Sequence, residues 1–194
     1  MRCYGNLGAA GIYLTSLRNI EIGNVDIEGM IDASGINAGL YTEVGGVITV
    51  TTLSGEMKVS EEINATGGDI TLTTERIDIQ ADMKSWEGDP TDPRGWLVLQ
   101  PLTVTRSIGV ADTAGGLFNL TSGELDKIID GFDGITIGRA DGQHDVVIQT
   151  YEFRDSVTFN SPVLGGGIQV PGLITTNTAD VQVILNGPSA GNGG

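Results

Sequence analysis

Ile135-Thr136-Ile137, Val146-Val147-Ile148, Val157-Thr158-Phe159 and Ile168-Gln169-Val170 begin 11 residues apart, three intervals in a row, along the stretch Gly134 to Val170. Each is a three-residue unit with apolar first and third positions, the period of a strand that buries one face. Strands this short do not make a stable sheet by themselves. A fixed spacing lets each one pair with its counterpart a turn of chain later, so the beat predicts a stacked, repeating coil.

The same units appear on either side. Ile20-Glu21-Ile22, Val25-Asp26-Ile27 and Ile31-Asp32-Ala33 open the pattern, separated by Gly23-Asn24 and Glu28-Gly29 and closed by Ser34-Gly35, which tolerate turn conformations. Gly45-Gly46-Val47-Ile48-Thr49-Val50 returns 22 residues later as Gly67-Gly68-Asp69-Ile70-Thr71-Leu72, and more loosely as Gly165-Gly166-Gly167-Ile168-Gln169-Val170. Twenty-two is twice 11, so one coil carries two or three short strands. Met57-Lys58-Val59, Ile77-Asp78-Ile79, Trp96-Leu97-Val98-Leu99, Leu102-Thr103-Val104 and Val181-Gln182-Val183 supply further units. Two stretches read as loops leaving the coil: Ile36 to Val44, and the turn-rich Asp82 to Gly95 with its Asp89-Pro90 and Asp92-Pro93. One helix is expected, capped by Thr121 or Ser122, with Glu124 in its first turn, an apolar stripe of Leu125, Ile128 and Ile129, and an end at Gly131.

The expected fold is therefore all-β, a parallel β-helix (β-solenoid) with one short helix and loop excursions. Residues 1–185 form a single repeat segment and residues 186–194 a Gly-rich flexible tail. About 22 residues per coil allow on the order of eight coils, fewer after the excursions, at a strand spacing of about 4.8 Å. Neither terminus reads as a polar cap, so the expectation is a segment of a longer chain.

Composition agrees with short strands and tight turns: 194 residues, 39% hydrophobic, 30 Gly and a single His. Ten basic against 25 acidic residues give a formal charge of −15, which repels phosphates and anionic lipid heads and disfavours nucleic acid and membrane surfaces as partners. Cys3 is the lone cysteine, so no intrachain disulfide forms. No apolar run approaches the roughly 20 residues of a membrane-spanning helix, and residues 1–5 lack the apolar core of a secretory signal.

Candidate chemistry is sparse. His144 beside Asp145 reads as a surface turn residue, because no nucleophile is fixed nearby and neighbours on a strand point to opposite faces. Arg76, Asp78 and Asp82 are the candidates for an enzyme of the polysaccharide lyase or hydrolase kind, but they fall on an ordinary solvent face. Glu87, Asp89 and Asp92 lack the spacing of a calcium loop and read as solvated. The outward Thr-x-Thr units at 49–51, 71–73 and 103–105 form a broken ladder that suits an exposed strand face. Gly165-Gly166-Gly167 leads into a strand without the Lys and helix of a phosphate loop. No catalytic, cofactor-binding or metal-binding residue is assigned, and no cofactor. Tyr41, Trp86 and Trp96 are the aromatic groups able to stack on a sugar, with packing as their alternative role.

Arg106-Ser107-Ile108-Gly109-Val110, Ala114-Gly115-Gly116-Leu117-Phe118-Asn119-Leu120, Gly123-Glu124-Leu125, Asp130-Gly131-Phe132 and Ile135-Thr136-Ile137-Gly138-Arg139-Ala140-Asp141-Gly142 together resemble a recurring unit of filamentous-haemagglutinin-like bacterial exoproteins, the adhesins exported by two-partner secretion. The resemblance covers roughly Gly67 to Leu185. It implies a right-handed β-helix forming a stretch of shaft in a secreted or cell-surface adhesin that supports attachment, with glycans or surface proteins as partners and no catalytic residues. A glycan-binding module, or a polysaccharide lyase or hydrolase on a β-helix, is the alternative.

Overall fold

The computed structural model describes residues 11–23, 39–42, 45–86, 94–112 and 114–188. Among these the chain is all-β, with one short helix and with every pairing between strands parallel. It proceeds in layers. The first holds β1 (Ile12–Ser16), β2 (Ile20–Ile22) and β3 (Leu40–Tyr41); the second β4 (Ile48–Thr52), β5 (Glu56–Val59) and β6 (Ile63–Asn64); the third β7 (Ile70–Thr74), β8 (Arg76–Ile79) and β9 (Met83–Lys84). A fourth, enlarged layer holds β10 (Trp96–Pro101), β11 (Ile108–Val110), β12 (Phe118–Leu120) and α1 (Ser122–Leu125). The fifth holds β13 (Gly134–Gly138), β14 (Asp145–Ile148) and β15 (Tyr151–Phe153), the sixth β16 (Val157–Asn160), β17 (Gly167–Gln169) and β18 (Ile174–Thr176), and β19 (Val183–Asn186) follows.

Leading strands make a seven-stranded sheet in the order β1-β4-β7-β10-β13-β16-β19. The second strands form β2-β5-β8 and then β12-β11-β14-β17; the third form β3-β6-β9 and β15-β18. The 22-residue echo is the pairing interval, since Ile48 lies opposite Ile70, Ile135 opposite Val157 and Val146 opposite Ile168. The 11-residue beat is the step from the first sheet to the second.

Register explains the core. Ile12, Ile48, Ile70, Leu97, Ile135, Val157 and Val183 stand in one line, and Leu14, Val50, Leu72, Leu99, Ile137, Phe159 and Leu185 in another. Ile48, Val50, Ile70, Leu72, Leu97 and Leu99 are wholly buried, each contributing about 1.5–3 kcal/mol of apolar transfer. A one-residue slip would turn every one of these side chains outward.

The repeated Gly-Gly marks where layers approach most closely. A β-carbon on Gly68 would collide with the carbonyl of Gly46, and one on Gly95 with the carbonyl of Gly68. Hydroxyls stitch the same corner: Ser85 Oγ donates to Gly68 O at 2.9 Å and accepts from Gly95 N at 2.8 Å, while Thr42 Oγ1 donates to Gly46 O at 2.7 Å.

Several sequence expectations change. Leu102 to Thr105 is turn, closed by the Arg106 N–H on Thr103 O at 3.1 Å, because β10 continues through Pro101 and ends there. The excursion from Asp82 begins later, since Met83–Lys84 already pairs with Ile63–Asn64. Leu40–Tyr41, expected in a loop, pairs with the same strand. The last strand starts at Val183 rather than Val181 and runs one residue past the expected boundary at Leu185. Tyr151–Phe153 and Ile174–Thr176 were not expected as strands. The helix is a single turn ending at Leu125, with Ile128 instead bridging to Met83. Cys3, Val25 to Ile27, Ile31 to Ala33, Glu87, Asp89, Asp92 and the tail from 189 onward lie outside the described residues.

Candidate functional site

Sheet register first decides what the expected catalytic candidates do. On β8, Asp78 stands opposite Lys58, which stands opposite Glu21. Lys58 Nζ reaches Glu21 at 3.4 Å, and Asp78 accepts from Gln80 Nε2 at 2.8 Å. Arg76 lies opposite Glu56, and Asp82 pairs with Lys127 at 3.6 Å. Each group thus has its own neighbour, and among the described residues no group of three or more His, Cys, Asp or Glu could hold a metal ion. Glu62–Lys84 at 3.3 Å, Glu75–Arg106 at 3.1 Å and Asp126–Arg154 at 4.0 Å repeat the theme of bases tied to an acid one layer before them. Hydrogen bonds from Ser60 and Lys58, then the Lys58 charge, hold the Glu21 carboxyl below its ordinary range.

His144 is fully buried, not a surface turn residue. Its Nδ1 lies 3.0 Å from Val104 O and its Nε2 2.8 Å from Asn160 O, while Ser161 Oγ donates to the His144 carbonyl. The ring therefore sits between the turn after β10 and the end of β16, with a carbonyl facing each nitrogen. Room for the ring comes from Gly138 and Gly142, where a β-carbon would lie 3.0 Å from Nε2 and 2.5 Å from Cε1. Those two glycines were the available sequence signal.

A second buried group escaped sequence reading altogether. Asp155 is 6% exposed and accepts the Gly131 N–H at 3.0 and 3.3 Å. Burial pushes its carboxyl up to about 6, with neighbouring Asp130 adding to the rise against the N–H groups of Gly131 and Phe132. Beside it a shallow cleft over Leu125, Ile128, Ile135 and Phe153 is rimmed by Tyr151 and Arg154. The Tyr151 hydroxyl donates to Asp126 Oδ1 at 3.0 Å, and burial, followed by that carboxylate, raises its pKa well above the ordinary phenol value. The free interior of about 20 Å³ has room for one water, too little for a sugar ring.

Aromatic groups separate by exposure. Tyr41 is half-buried in β3, and Trp86 is half-buried with the Arg94 guanidinium 4.8 Å over its ring. Trp96 is different: it is 48% exposed on the outer face of the first sheet. Of the expected threonine ladder, Thr49 and Thr71 lie in line there and give way to Val98 before Thr136 and Thr158 resume, whereas Thr103 and Thr105 fall in the turn after β10 and not on the sheet.

Comparison of the chain with family models, known proteins and solved structures finds no match. No described helix is long and apolar enough to cross a membrane.

Proposed function

We propose that the layers close into a right-handed parallel β-helix, and that this chain is a shaft segment of a secreted or cell-surface bacterial adhesin of the filamentous-haemagglutinin kind. Its work is mechanical: it spaces attachment surfaces from one another without transforming a substrate. The observation that carries this reading is the seven-stranded parallel ladder with two continuous aliphatic lines. Ion pairs and hydroxyl bridges between successive layers support it, because they resist sliding of one layer over the next.

Electron microscopy and small-angle scattering test the shape: six strand intervals of about 4.8 Å predict a rod segment about 29 Å tall from β1 to β19. A flat open sheet would refute closure. Antibody labelling of intact cells of the source bacterium tests the location, with a purely internal signal refuting the adhesin assignment. Turnover of an acidic polysaccharide that disappears on Asp78→Ala or Asp82→Ala would replace the shaft by an enzyme.

A further inference from the structure

Among the described residues the first sheet ends in β1 on one side and β19 on the other. Edge strands carry free N–H and C=O groups that template pairing with another chain, and proteins blunt them with charge, proline or a bulge. β19 has none of these: it reads Val183-Ile184-Leu185-Asn186 and keeps unbroken register with Val157–Asn160. Val157 and Ser161 donate to Gln182 O and Asn186 O. Alternation along the strand therefore turns the N–H and C=O of Val183 and Leu185 toward the open side. The side chains match the free backbone. Ile184 takes the outward position that Thr136 and Thr158 hold in the two layers before, and both it and Leu185 are 48% exposed.

Charge selects what meets this edge. From Ser156 to the end of the chain the one charged residue is Asp180, although the whole chain carries 10 basic and 25 acidic residues. Two copies of a chain with a formal charge of −15 repel over most of their surface and meet with least repulsion here. The β1 edge is unlike it: its inward Ile12 is only 4% exposed, and Arg18 and Glu21 share its layer. A contact of like with like at the β19 end is therefore favoured over one end meeting the other. We propose that β19 is the interface of a homodimer, pairing antiparallel with its counterpart in a second copy about a two-fold axis at Ile184. In that register each Val183 faces the other copy's Leu185 and exchanges backbone hydrogen bonds with it in both directions, using the free groups on the open side. The two Ile184 side chains then meet as the close, non-hydrogen-bonded pair. Such an isologous contact closes at two copies. A strand this short makes a small interface, so the dissociation constant should be on the order of 10–100 μM. The pairing draws on the edge and the charge distribution alone and stands or falls apart from the shaft reading.

Sedimentation velocity of the full chain from about 1 μM to 1 mM tests the assignment. Wild type is expected to pass from monomer to dimer with no larger species. Ile184→Lys sets two like charges against each other at the axis and should weaken the dimer at least about tenfold, with its far-ultraviolet circular dichroism unchanged. Tyr13→Lys, at the 70% exposed outward position of β1, should dimerise as wild type does. Cysteine pairing reads the register directly. In a Cys3→Ser background, Ile184→Cys places two thiols across the axis at a Cα separation of about 4.5 Å, within disulfide reach, and should give a covalent dimer on mild oxidation. Thr158→Cys, one layer further in, should not. A monomer at every concentration, a series of species larger than the dimer, or a dimer lost in Tyr13→Lys and kept in Ile184→Lys would each overturn the proposal. So would a dimer that forms only after deletion of residues 189–194, which would make the chain's own tail the occupant of the edge.

Discussion

Asp155 and His144 are polar groups placed where a stack of aliphatic lines has least tolerance for them, and each should reveal itself on substitution. The Asp155 carboxyl is pushed up to about 6 in the folded chain, against about 3.9 in an unfolded one. The folded state therefore holds the proton more tightly. Its contribution to stability is complete below about pH 4 and is lost as pH rises through 6. Asp155→Asn keeps an acceptor for Gly131 and never ionises, so the variant should gain on wild type by about 1–2 kcal/mol between pH 4 and 7. Urea titrations of both proteins across that range measure it, and a pH-independent difference would contradict the buried-acid account. His144→Ala removes the ring N–H from the carbonyls that face it and opens a void, which predicts a loss of about 3 kcal/mol by the same titration. Neither residue was legible beforehand. Asp155 follows Arg154 in an unremarkable polar turn, and its burial depends on Gly131, 24 residues earlier in the chain.

At the scale of the element, α1 shows what local chemistry can and cannot announce. Thr121 was legible as a cap, and the full reciprocal box forms: Thr121 Oγ1 accepts from Glu124 N at 3.3 Å, and Glu124 Oε2 accepts from Thr121 N at 2.7 Å. What local pattern could not give is the second task of Glu124. Its Oε1 accepts the Ile79 N–H at 3.1 Å, at the end of β8, the strand where the β2-β5-β8 sheet stops and β12 begins the next one. One carboxylate thus caps a helix and seals a sheet edge. The helix also stops early, because Ile128 is drawn into a bridge with Met83 and its neighbours follow. Glu124→Ala should cost about 2 kcal/mol, more than a cap alone, because a strand N–H is also left unpaired. Glu124→Gln retains one acceptor oxygen and replaces the other by an amide that can only donate, so it should lose roughly half of that. Hydrogen exchange at the Ile79 amide separates the two tasks: acceleration in Glu124→Ala but not in a Thr121→Ala variant is the expected pattern, and acceleration in neither would remove the sealing role.

For the whole molecule, the 22-residue period makes a prediction that most folds do not permit. In the first sheet Ile12 pairs with Ile48 and Ile48 with Ile70, so removal of residues 48–69 brings Ile70 into the place of Ile48. The other faces follow suit, Met57 being replaced by Ile77 opposite Ile20 and Ile63 by Met83 opposite Leu40. Even the tight corner is conserved, since Gly95 would meet Gly46 in place of Gly68 and Ser85 keeps a carbonyl to donate to. Three mismatches arise: the turn after the first strand is two residues shorter and loses the Ser54 bond to Leu17 O, the Trp96 N–H loses Asp69, and one exposed pair is electrostatically unfavourable. Glu21 loses Lys58 and faces Asp78, a like-charge pair that costs a few tenths of a kcal/mol on an exposed strand. The deletion chain should fold with its parallel-sheet circular dichroism intact and with a smaller urea m-value, because one layer fewer is exposed on unfolding. Adding Asp78→Lys should restore part of any lost stability. Deleting only 11 residues, 48–58, is the decisive contrast: it removes β4 and all of β5 but Val59, so the chain after the Gly45-Gly46 corner runs straight into the turn before β6 and the layer loses its first- and second-sheet strands without a replacement in register. If both deletions fold equally well, the layer is not the structural unit; if neither folds, the layers are not interchangeable and the beat is only a pattern of apolar residues.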